Sequence, residues 1–158
     1  MKEFEDDMKS VEPPIDANEY EGRHWKLCHD IVGVFYAVYN ELGHGFLEAV
    51  YEEALSIALN DAGLPAKRQV PTPIWFRGRS IGEYKSDLVV SSAVLIELKA
   101  ARAIDPSHHA QILNYLRATD FEVGLLLNFS PKPQFKRFVF ENSRKGIRVN
   151  SRGFAAKT

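Results

Sequence analysis

The sequence predicts an α/β domain with a mixed central β-sheet flanked by α-helices, and three observations carry that expectation. Two stretches in the first half have apolar residues recurring at intervals of three and four. The middle of the chain turns to a β-branched, alternating texture. A third helical stretch then leads into "EVGLLLNF", a short run that is almost wholly apolar. Helical spacing marks elements that bury one stripe, whereas a continuous apolar run of that length suits a strand buried on both faces. In order, the elements read helix, helix, three strands, helix, two strands, a pattern that packs as one sheet between helical layers.

The first helix is expected from His29 to Leu42, where Ile31, Val34, Phe35, Val38, Tyr39 and Leu42 share a stripe and Gly43 supplies a stop. The second is expected from about Phe46 to Ala62, with Leu47, Val50, Tyr51, Ala54, Leu55 and Ala58 on its apolar side and Gly63 at its end. After "GLP" the segments "RQVPTPIWF" and "SIGEYKSDLVV" flank the turn Arg77-Gly78-Arg79, and a Ser-Ser break precedes "AVLIELKA". These three segments read as a meander of strands. Asp105 and Pro106 signal the start of a third helix carrying Ala110, Ile112, Leu113 and Leu116, and "KRFVF" supplies a final strand.

The 158 residues fit one domain with a sizeable core. Residues 1–22, rich in acids and carrying Pro13 and Pro14, have too few apolar side chains to pack and are expected to be a flexible acidic tail. Residues 23–150 form the domain, and residues 151–158 a C-terminal tail. No apolar run approaches the ~18–20 residues of a membrane helix, and the acidic start lacks the apolar stretch of a signal peptide. A cytoplasmic protein without a membrane partner is expected. The lone Cys28 permits no internal disulfide and no cysteine-based zinc site, so it reads as a small core residue.

The net charge of −1 argues against a nucleic-acid binder that works by bulk attraction. That near-neutrality hides a polarity. Residues 1–64 carry 4 basic and 14 acidic side chains, and residues 65–158 carry 16 basic and 7 acidic ones. The second part of the chain can therefore face a polyanion, unless folding intermixes the two halves.

The stretch with most chemical content is "SDLVVSSAVLIELKAAR", residues 86–102. If its loop is the three-residue Ser91-Ser92-Ala93, Val90 pairs with Val94, and Asp87 falls opposite Glu97. Both acids then share a face, with Lys99 two residues beyond Glu97 on that face. An even-numbered loop would place the acids on opposite faces. Two carboxylates that close repel each other unless a cation sits between them, and oxygen ligands on a sheet suit Mg²⁺ or Mn²⁺. Lys99 adds a positive point charge able to hold a phosphate or orient an attacking water. The alternative is a surface salt bridge among strand-end charges.

Asp87, followed after a short hairpin by Glu97-Leu98-Lys99, resembles the D…(D/E)xK signature of the PD-(D/E)XK superfamily of phosphodiesterases, although Ser86 stands where that signature often has proline. "GFLEAVY", from Gly45 to Tyr51, is similar to the GxxExxY box that names a group of small proteins in that superfamily. The likeness runs in order through "LGHGFLEAVYEEAL", "ELKA", "HAQILNYLRAT" and "GLLLNF". It implies a restriction-endonuclease-like core and a Mg²⁺- or Mn²⁺-dependent nuclease, with DNA as the expected substrate. Asp87, Glu97 and the Leu98 carbonyl would hold the metal, with Glu48 a further ligand directly or through water. Asp87, Glu97 and Lys99 would act in catalysis. Glu48 begins the second helix one turn before Tyr51 and can point toward the sheet's acids. Gln111 and Tyr115, four apart on the third helix, match a QxxxY pair found in the related exonuclease branch, and by that likeness would orient Lys99, water or a substrate phosphate. His108 and His109 point ~100° apart and are expected to have supporting or surface roles. The rival reading is an inactive nucleic-acid-binding or protein-interaction module that retains the fold. The modest size and neutral charge also leave room for a protein partner or a homo-oligomer.

Overall fold

A computed structural model describes residues 24–145; the acidic segment 1–22 and the tail 151–158 lie outside them. Helix α1 spans Trp25–Leu42 and α2 spans Glu48–Asp61. Strands β1 (Ala66–Phe76), β2 (Arg79–Val90) and β3 (Val94–Lys99) follow, then α3 (Pro106–Ala118), β4 (Val123–Asn128), β5 (Gln134–Val139) and a short 3-10 turn, Asn142–Lys145. The element order is the expected one, with shifts at two helix starts. Helix α1 begins at Trp25 rather than His29, because its first turn is held by the Lys26–Asp30 ion pair and the Trp25–His29 ring stack, neither of which adds to an apolar repeat. Helix α2 begins at Glu48 rather than Phe46, because Gly45 at φ 108° and the extended Leu47 keep the chain out of helical geometry until then.

The five strands lie in the order β1-β2-β3-β4-β5, antiparallel throughout except for the parallel β3–β4 pair, which α3 connects as the crossover. Strand β4 is buried along its whole length, as its unbroken apolar run predicts. On one side of the sheet, Phe35 and Tyr39 of α1 and Tyr51 and Leu55 of α2 join Leu88, Val90, Ile96, Leu98 and Phe129 in one core, with Cys28 buried among them. On the other side, Ile112 and Leu116 of α3 cover Leu95, Leu126 and Phe138. Gly124 permits that close approach, since a Cβ there would stand 2.9 Å from the Ile112 side chain. Each fully buried Leu, Ile or Phe contributes about 1.5–3 kcal/mol, so the two layers hold the sheet rigidly from both faces. Among the described residues no helix is long and apolar enough to cross a membrane.

Candidate active site

The β2–β3 hairpin closes through Ser91-Ser92-Ala93, with Ser91 and Ser92 at φ 52° and 53° and Val90 paired with Val94. The ladder continues through Val89–Leu95 and Leu88–Ile96. The ladder ends there, one residue short of Asp87 on β2 and of Glu97 on β3. Asp87 Oδ2 accepts the Leu98 N–H at 2.8 Å, so a carboxylate occupies the place that strand pairing vacates. The odd-numbered loop thus sets a register whose last pair, Leu88 with Ile96, immediately adjoins both acids.

Beside the end of the β2–β3 ladder, β1 carries an irregularity at Gln69. Arg68 and Gln69 are consecutive in β1, yet both reach Glu52 on α2, Arg68 through Nη2 at 2.8 Å and Gln69 through Nε2 at 2.5 Å. Consecutive strand residues normally point to opposite faces. Gln69 breaks that alternation by adopting left-handed backbone geometry, φ 50°, at the position level with Asp87. Beyond it the β1–β2 ribbon presents its buried side to the other layer. Leu88 packs with α1 and α2, whereas Tyr84, of the same parity, packs with α3 and stacks on Tyr115 at a centroid distance of 3.4 Å.

A cleft of about 180 Å³ opens here, lined by Glu48, Ala49, Glu52, Gln69, Asp87 and Leu98. The "GFLEAVY" segment explains how Glu48 comes to line it. Tyr51, buried and stacked on Phe129 at 4.0 Å, donates its hydroxyl proton to the Gly43 carbonyl at 2.7 Å and accepts the Phe46 N–H at 3.2 Å. The loop before α2 is thereby pinned, and with it the first turn that carries Glu48. At the far end of β3, Asn128 holds Ala101 through both its amide atoms, at 3.0 Å each, and fixes the chain just after Lys99.

The electrostatics are those of crowded acids. Burial pushes the Glu97 carboxyl up to about 7, opposed by the Lys99 charge and the Asp87 amide and reinforced by the charges of Glu48 and Glu52. Glu97 Oε1 is buried without a hydrogen-bond partner in the protein. Asp87 is also raised, first by burial, then by Glu52 and Glu48, against the Leu98 amide and Lys99. A buried carboxylate oxygen without a donor, on a carboxyl raised by burial and by the nearby charges of Glu48 and Glu52, is in an environment that a hard cation would relieve. Among the described residues no three His, Cys, Asp or Glu side chains form a ready-made metal cage. Mg²⁺ does not require one, since it keeps several waters and is commonly held by one or two carboxylates with substrate phosphate completing the shell.

The remaining expected residues divide. Glu48, Asp87 and Leu98 line the cleft, whereas Glu97 and Lys99 do not; Gln111 and Tyr115 also lie outside its lining and engage each other, Gln111 Nε2 donating to the Tyr115 hydroxyl at 2.9 Å. His108 is part of the cap of α3: its Nδ1 accepts the Asp105 N–H while the Asp105 carboxylate accepts the Ser107 N–H. His109 packs edge-on against Phe138. Glu52, Arg68 and Gln69 join the site without an expectation from the sequence. Glu52 was within reach, since it follows Glu48 by four residues and shares its helix face. Gln69 was not, because nothing in its residue type announces a left-handed backbone in a strand.

The sequence profile of the PD-(D/E)XK nuclease superfamily matches residues 25–138. A solved structure described as "Crystal structure of SSO0001" is similar, with a TM-score of 0.48 and 16% identity over 98% of this chain and 83% of that one. Among curated proteins no significant match is found.

Proposed function

The chain belongs to the PD-(D/E)XK nuclease superfamily, and from that premise we propose that it is a divalent-metal-dependent phosphodiesterase acting on DNA, of the GxxExxY group within the superfamily. The observation that carries this reading is the Asp87 carboxylate seated on the Leu98 amide, beside a half-buried Glu97 whose Oε1 has no hydrogen-bond partner and which feels the charge of Lys99. In this reading Asp87, Glu97 and the Leu98 carbonyl hold Mg²⁺ or Mn²⁺, with Glu48 joining from the opposite wall of the cleft, directly or through water. The cation supplies Lewis-acid polarisation of the phosphoryl group and a water of lowered pKa. Lys99 places its ammonium where negative charge develops on the phosphate and orients the attacking water. Gln111, through its bond to Tyr115, presents an amide on the α3 side for a substrate phosphate or for Lys99. Phe46 and the largely exposed Leu47 immediately precede Glu48 and offer apolar surface for unstacked bases.

The rival, a nucleic-acid-binding or protein-interaction module without catalysis, draws on the lack of a preformed three-residue cage among the described residues. Cleavage of a panel of labelled DNA and RNA, single-stranded, duplex and flapped, with Mg²⁺, with Mn²⁺ and with chelator, separates the two. Metal-dependent hydrolysis of DNA that chelation abolishes is expected. Binding without cleavage across the whole panel favours the rival.

A further inference from the structure

Glu52 is an acid that the superfamily signature does not include, yet it is almost wholly buried, 7% exposed, in the wall of the cleft that also holds Asp87. Its two oxygens have different partners. Oε2 is paired with Arg68, whose other arm binds Glu53 on the outer side of α2, and Oε1 takes the Gln69 amide at 2.5 Å. Arg68 alone would draw the carboxylate outward, toward Glu53. Gln69 opposes that pull from within the cleft. It can do so only because its backbone is left-handed, a conformation that costs a non-glycine residue energy and that persists where surrounding structure imposes it, most often at functional sites. That left-handed residue lies level with Asp87, whose carboxylate accepts the Leu98 N–H.

We propose that Gln69 is a positioning residue which holds the Glu52 carboxylate in the cleft, so that Glu52 strengthens binding of the divalent cation that Asp87 and Glu97 take. This rests on the metal-dependent reading above. Glu52 acts on the hydrated ion as a nearby negative charge and as an acceptor for its waters, and Gln69 acts through Glu52. Partners of this kind, one bond removed from the ion, typically change metal affinity by about 10- to 100-fold when removed.

Glycine separates this role from a merely structural one, because it suits the left-handed backbone at position 69 better than glutamine and lacks the amide. Melting temperature is followed against Mn²⁺ concentration for wild type, Gln69→Gly and Glu52→Gln. Wild type should show a saturable rise. Gln69→Gly should still unfold cooperatively without metal, since relief of the left-handed strain offsets part of the lost hydrogen bond, and should bind Mn²⁺ about tenfold more weakly. Glu52→Gln, which keeps the shape and removes the charge, should lose a similar factor. A Gln69→Gly dissociation constant within twofold of wild type overturns the proposal while leaving the metal-dependent reading intact. No response in wild type overturns both. Should Gln69→Gly fail to fold, Glu52→Gln decides alone: unchanged Mn²⁺ affinity refutes the inference, and a tenfold loss supports it.

Discussion

Replacing Glu97 by Gln should stabilise the metal-free protein, and the size of the gain follows from its surroundings. A carboxyl whose ordinary value is 4.5 and which stands at about 7 in the folded chain favours the protonated native state. Below pH 4.5 the group is protonated folded or unfolded and contributes nothing. As pH rises from 4.5 through 7 the unfolded chain ionises first, and stability is progressively lost. The gap of about 2.5 units, at ~1.4 kcal/mol each, amounts to roughly 3 kcal/mol at pH 8. Glu97→Gln removes that penalty. At ~2–4 °C per kcal/mol for a chain of this size, its melting temperature should exceed wild type by up to about 6–12 °C at pH 8 and match it near pH 4.5. Mn²⁺ should raise the melting temperature of wild type in a saturable way and leave Glu97→Gln nearly unmoved. Scanning calorimetry at pH 4.5, 6 and 8, with and without Mn²⁺, reads all of this. Equal stability of the two proteins at every pH, together with identical metal responses, would refute the crowded-acid reasoning.

Lys99→Ala should leave the fold intact and cut metal-dependent cleavage at least 100-fold, the scale of one lost electrostatic stabiliser; single-turnover rates check this, and retention of more than about a tenth of the wild-type rate removes Lys99 from the chemical step. Tyr51→Phe strips the Gly43 carbonyl and the Phe46 amide of their shared partner, which should cost about 1–2 kcal/mol in urea unfolding and speed hydrogen exchange at Phe46; unchanged exchange would show that the loop before Glu48 is held by other contacts. Deleting residues 1–20 removes seven acids and two bases, so DNA affinity at low salt should rise and its salt dependence steepen in fluorescence anisotropy; identical binding curves would show that the segment does not screen the basic half.

The fold was legible because each element announces itself by a local rule. Apolar spacing gave α1 and α2, Asp105-Pro106 marked the start of α3, and the unbroken run at Val123–Asn128 gave the doubly buried strand. The pairing of Val90 with Val94 was also within reach, because it depends only on counting residues in a three-residue loop. The parting of the strands was not. It lies where the Asp87 side chain takes the Leu98 amide and where Gln69, bonded to Glu52 of α2, takes an unusual backbone. Alternation alone puts Arg68 and Gln69 on opposite faces and hides their shared hold on Glu52. The separate pairing of Gln111 with Tyr115 was likewise invisible, since helical spacing sets which residues share a face but not what the neighbouring strand offers them, here the ring of Tyr84.

The most direct test of the central claim is the cleavage rate of one labelled DNA substrate by purified wild type and Asp87→Asn, side by side with Mn²⁺ and after chelation. Asp87→Asn keeps the shape that meets the Leu98 amide and removes the charge that the ion requires. Hydrolysis by wild type should stop on chelation and fall at least 100-fold in the variant. Equal rates in the two proteins, or cleavage indifferent to chelation, would contradict that claim.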